Sequence, residues 1–402
     1  MARKRTFLVG GTFLVVLMAL GLAQSVLERA TAQQGTVEAP RFEVDPFWPK
    51  PLPNNWILGQ TIGAWVDEQD VVWIVHRSSA TLAETEKALD VKAGECCAGA
   101  PPVLAFDAAG NLVRHWGGPG QGYDWPTSNH GIFVDHTGAV WIGGNGPGDS
   151  QIMKFTKDGK FLAQYGKPNA RAEAAAPSKF SGNSHDQNNF GRVAKIFVDP
   201  RANEAYVADG YLNKRVAVLD AASGKLKRYW GAYGNRPDDT NAGPYNPDAP
   251  PAQQFRNPVH CADLSNDGLV YVCDRVNDRL QVFKPDGTFV KEAFIAKRTL
   301  LAGSVWDIAF SRDPQQRYLY VADGINNRVY VVRRDTLEVL TSFGTGGRMA
   351  GEFYGVHNLA TDSKGNLYTT ETWEGKRLQK FVFKGVGRVR APHQGVVWPG
   401  TR

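Results

Sequence analysis

The sequence predicts an all-β fold, a β-propeller of six blades, on three observations. One strand–turn–strand unit recurs six times, each copy centres its second strand on an aromatic residue, and glycine-bearing turns follow at matching places. The central aromatics are Trp73, Trp141, Tyr206, Tyr271, Tyr320 and Tyr368, spaced by 68, 65, 65, 49 and 48 residues. Such spacing suits four-stranded blades with inserted loops. Blades arranged around a central channel leave only short, protected strand edges, and no stretch of helical period competes.

Taken in order, the chain opens with Arg3, Lys4 and Arg5, then an apolar run from Phe7 to about Ala23 and an Ala30-Thr31-Ala32 cleavage pattern. These features read as an export signal over residues 1–32,. Paired arginines are missing, so Sec export is favoured over the twin-arginine route. Left uncleaved, the apolar run would act as a membrane anchor; otherwise no membrane association is expected. A proline-rich lead-in covers 33–59, the propeller 60–385 and a tail 386–402.

Within the propeller the second strands read Val71-Val72-Trp73-Ile74, Val140-Trp141-Ile142, Ala205-Tyr206-Val207-Ala208, Val270-Tyr271-Val272, Leu319-Tyr320-Val321-Ala322 and Leu367-Tyr368-Thr369. Outer hairpins turn at Gly110, Gly159 and Gly287, each preceded by Phe and, except at Gly110, by Asp,. Trp116-Gly117, Tyr165-Gly166, Trp230-Gly231 and Phe343-Gly344 close successive blades.

Lys and Arg total 46 against 40 Asp and Glu, a formal charge of +6 scattered without a basic stripe. No nucleic-acid partner is therefore expected, and the chain reads as a monomer in the periplasm or the medium. Cys261 and Cys273 flank the turn Asn266-Asp267-Gly268, nearly opposite each other, which suits a cross-strand disulfide in an oxidising compartment,. Cys96-Cys97 is a vicinal pair, open to a strained ring, a metal or two plain thiols.

Chemistry enters through three histidines. His130, His260 and His357 each lie eleven residues before the central aromatic of their blade. Equal offsets in quasi-equivalent blades mean one structural position, the start of the innermost strand at the channel mouth. Three imidazoles on one axis form the ligand set of a catalytic zinc site with an open position, although imidazole also suits copper, iron and nickel. Arg77 and Arg275 each follow their aromatic by four residues, and Tyr211 follows Tyr206 by five. Arginine there can fork onto a carboxylate, and tyrosine is a candidate general base. The bland alternatives are salt bridges to a neighbouring blade and a packed rim aromatic.

The stretches Val75-His76-Arg77, Asn129-His130-Gly131, Asp209-Gly210-Tyr211-Leu212-Asn213-Lys214-Arg215, Pro258-Val259-His260, Asp274-Arg275 and Val356-His357-Asn358 resemble peptidyl-α-hydroxyglycine α-amidating lyase. The likeness runs from about residue 60 to 385, and the D-G and N-x-R signatures resemble NHL repeats. This resemblance implies zinc on His130, His260 and His357, Tyr211 as base, and Arg77 and Arg275 holding a carboxylate or supporting the phenolate. It implies collapse of R-CO-NH-CH(OH)-COO⁻, in a peptide or a small hydroxylated amide, to the primary amide and glyoxylate. Where the family has Asp after the last histidine, helping to bind a structural calcium, this chain has Asn358, which weakens the calcium expectation,. Two other readings compete. A calcium lactonase of the six-bladed kind would want Glu, Asn and Asp on the axis. A non-enzymatic NHL scaffold would have no use for three imidazoles at one point.

Overall fold

The computed structural model describes residues 35–400 apart from 171, 174 and 175. Six four-stranded sheets form six blades. The innermost strands are Thr61–Val66, Asn129–Val134, Val193–Asp199, Val259–Leu264, Asp307–Phe310 and Val356–Thr361, numbered here as blades one to six. Among the described residues helix is confined to three short 3-10 turns. The expected export segment lies outside the described residues, and no helix within them is long and apolar enough to cross a membrane.

Period-two alternation decides which neighbour each strand residue meets, because both faces of every blade are covered. In blade one, Val72 and Ile74 pack toward blade six, whereas Trp73 and Val75 pack toward blade two. All six central aromatics are buried, each within the cluster shared with the following blade. Six apolar clusters thus fill the six gaps and close the ring. In three blades an aspartate at the first turn ties down the central aromatic. Asp67 and Asp135 accept the indole N–H of Trp73 and Trp141 at 2.9 and 2.8 Å, while Asp362 accepts the Tyr368 hydroxyl at 3.0 Å.

The outer edge of blade six comes from the other end of the chain. Thr36–Asp45, within the lead-in segment, pairs antiparallel with Leu378–Arg390 from Thr36↔Arg390 to Asp45↔Lys380. Phe42 on that strand packs against Tyr320, Phe343 and Phe383. The sheet therefore begins earlier than the repeat pattern indicates. Outer strands end at Trp116, Tyr165, Trp230 and Phe343, the residues expected to close their blades. Cys261 and Cys273 form a disulfide across the inner two strands of blade four, and Cys96 and Cys97 form a vicinal one.

Candidate metal centre

His130, His260 and His357 stand at the start of the inner strands of blades two, four and six. Each sits at a register shift in the pairing with the second strand. Such bulges re-aim a side chain that regular pleating would send elsewhere. After His130, Gly131 takes φ +69°, and a Cβ there would meet the Ala194 carbonyl oxygen at 2.5 Å, so glycine is required,. The three rings converge with centroids 4.9 to 5.2 Å apart and are buried. One nitrogen from each lies within 4.8 Å of the others.

The alternate blades orient these rings. His130 Nδ1–H donates to the Ala194 carbonyl at 2.6 Å and His260 Nδ1–H to that of Trp306, in blade three and just before blade five. His357 Nδ1–H donates to Asn358 Oδ1 at 2.5 Å, and the ring also meets the Ile62 backbone of blade one. An acceptor at Nδ1 fixes the tautomer that leaves Nε2 as a bare lone pair. Burial holds all three imidazoles neutral. It pushes His357 down to about 3 and His130 and His260 well below the ordinary value, with neighbouring imidazoles, Arg77 and Arg275 adding to it.

Tyr211 completes the cluster. Its hydroxyl lies 3.0 Å from Nε2 of both His130 and His260, and Arg275 Nη1 donates to it at 3.3 Å. One phenolic proton cannot serve two lone-pair acceptors. The residues present therefore offer more lone pairs than protons, which is the donor set a divalent cation satisfies. Gly210 makes the approach possible, since a Cβ there would strike the Val259 backbone at 2.0 Å.

The two arginines flank this centre without carboxylate partners among the described residues. Arg77 donates to Gln60 Oε1 and Asn145 Oδ1, both at 2.9 Å, and its Nε has no partner. Arg275 stacks over Trp306 at 4.6 Å and Tyr211 at 5.6 Å, and its Nε is likewise free. Salt bridges to neighbouring blades are not what these side chains make. The remaining histidines stay out of the centre. His76, for instance, is buried, accepting from Gly59 and Ser78 N–H at 3.1 Å through Nδ1 and facing the Pro101 carbonyl at 2.9 Å through Nε2.

Sequence reasoning did not find the layer beneath. Lys195 Nζ donates to Asp263 Oδ2 at 2.7 Å and Asp307 Oδ1 at 2.6 Å, all three side chains being buried. Asp307 Oδ2 accepts from Asn358 Nδ2 and the Leu359 N–H, both at 2.9 Å. Burial pulls the Lys195 ammonium down, but the two carboxylates outweigh it and the net shift is upward. These residues do not fit a calcium ion. Asn358 turns its oxygen to His357 and its amide to Asp307, and the carboxylates already hold an internal cation.

No protein-family model matches the chain. It is 25% identical to NHL repeat-containing protein 3 of Mus musculus over 368 residues, covering 86% of this chain and 85% of that protein. It is 33% identical to the peptidylglycine alpha-amidating monooxygenase of Rattus norvegicus over 167 residues, 40% of this chain and 14% of that much longer protein. Among solved structures, a catalytically inactive virginiamycin B lyase from Staphylococcus aureus with quinupristin aligns over 89% of this chain and 85% of its own. Its TM-score is 0.47 and its identity 15%. The chain is a six-bladed β-propeller, similar along most of its length to an NHL repeat-containing protein, with a partial, distant likeness to the amidating monooxygenases and a buried histidine triad on its axis.

Proposed function

We propose that this protein is an exported, zinc-dependent carbon–nitrogen lyase that splits an α-hydroxyglycine amide, or a related carbinolamide, into a primary amide and glyoxylate. The observation that carries the reading is the convergence of three neutral imidazole Nε2 atoms beside a phenol that itself touches an arginine. Export rests on the charged and apolar character of residues 1–32,. The partial likeness to the amidating monooxygenases supports the substrate class.

His130, His260 and His357 would hold the zinc, which when bound supplies Lewis acidity toward the substrate hydroxyl. Arg77 and Arg275 present guanidinium N–H groups that have no protein partner, suited to a substrate carboxylate. Tyr211 stands where it can take the hydroxyl proton and return one to the departing nitrogen. The balance is simple: O–H and C–N break, a carbonyl and an N–H form, and no redox partner is needed. The test is incubation of the purified chain with benzoyl-α-hydroxyglycine. Equal amounts of benzamide and glyoxylate, formed faster than in buffer, support the reading; no acceleration overturns it.

A further inference from the structure

The opposite end of the channel opens into a separate cavity of about 790 Å³, within the range of small-molecule sites,. The histidines stand at the beginnings of the inner strands, whereas this cavity is lined by their ends and the turns that follow.

Its inner wall is uneven in a telling way. The residues paired with the six central aromatics are Trp65, Phe133, Phe197, Asp263, Ala309 and Ala360 in blades one to six. Three aromatics form one side, their centroids 4.2, 5.1 and 6.0 Å apart. Two alanines leave the other side open, and one carboxylate stands between. That carboxylate is the odd member of the buried Lys195–Asp263–Asp307 group, where two negative charges face a single positive one. Both oxygens of Asp307 are engaged, but Asp263 Oδ1 is buried and accepts no hydrogen bond. The Asp263 side chain is only 6% exposed. A buried carboxylate oxygen without a partner is costly, and burial accordingly pushes the Asp263 carboxyl upward, against the pull of Lys195. The rim around it adds four carboxylates against three Lys and Arg side chains.

We propose that this cavity is a second binding site, for a small organic cation: an ammonium group on an apolar body. The ammonium donates to Asp263 Oδ1 and supplies the missing positive charge. The body lies against Trp65, Phe133 and Phe197, whose ring faces attract both the hydrocarbon and the cation. The alanines leave the space it fills.

The test is calorimetric titration of the full chain with benzylammonium and with benzyl alcohol, its uncharged counterpart. The proposal expects saturable ammonium binding with Kd of order 1 mM or tighter, and at least about tenfold weaker alcohol binding. Asp263→Asn removes the preference for the cation. Phe197→Leu, which leaves the buried ion group intact, weakens ammonium binding several-fold. His260→Ala leaves binding unchanged, so this result stands or falls separately from the lyase reading. Equal affinity for the two probes, no saturable binding, or indifference to both cavity variants would overturn it.

Discussion

The Tyr211 hydroxyl meets two imidazole nitrogens and one guanidinium donor, and its role can be separated from the histidines'. Tyr211→Phe removes the hydroxyl proposed to move the proton while leaving the three histidines in place. Bound metal should stay at the wild-type ratio while kcat falls by about two to four orders of magnitude, read from product release beside elemental analysis. Loss of metal together with activity would make Tyr211 a structural prop instead. His76 offers a cleaner view of buried imidazole energetics, because it lies outside the centre. Burial pushes it down to about 4. Above the unfolded value of about 6.5 it costs nothing to keep neutral. As pH falls below that, the unfolded chain binds a proton that the folded chain refuses, and stability is lost until the folded pKa is reached. The advantage of wild type over His76→Asn should therefore shrink by about 2 kcal/mol between pH 7 and pH 5 in denaturant titrations. A pH-independent difference would contradict the burial argument.

At the scale of elements, the closing strand Thr36–Asp45 does what no repeat unit does: it joins the chain's beginning to its end. Phe42 anchors it among Tyr320, Phe343 and Phe383. Truncation to Ala should cost about 3–5 kcal/mol in guanidinium unfolding; a loss below about 1 kcal/mol would mean the ring holds without this anchor. The pairing joins residues more than three hundred positions apart, so the local pattern carried no sign of it, and Pro40 obscured the alternation further. The six second strands, by contrast, were legible because an aromatic at the same place packs toward the following blade every time. The triad was legible for that reason too: equal offset became equal position. The Lys195–Asp263–Asp307 layer was not, since each member lies alone in its blade and only the folded ring unites them. Asn145 and Gln60, which hold Arg77, come from loops outside the repeat and gave no signal either.

For the whole molecule, the ring has two ends with opposite chemistry on one axis. One end gathers lone pairs and guanidinium groups, suited to a cation and an anionic substrate. The other gathers aromatic faces around a carboxylate. Between them Lys195, Asp307 and Asn358 form a continuous polar wall that reaches the third histidine through Nδ1. A ligand that binds the folded chain alone raises its stability by mass action, so the occupied centre should register in global unfolding as well as in chemistry. The most direct test is elemental analysis of dialysed wild-type and His260→Ala protein, read beside the thermal unfolding midpoint with and without added zinc. About one zinc per chain is expected in wild type, with a midpoint that rises with zinc, both lost in the variant. Wild-type protein that retains no stoichiometric metal and gains no stability from zinc would contradict the metal assignment.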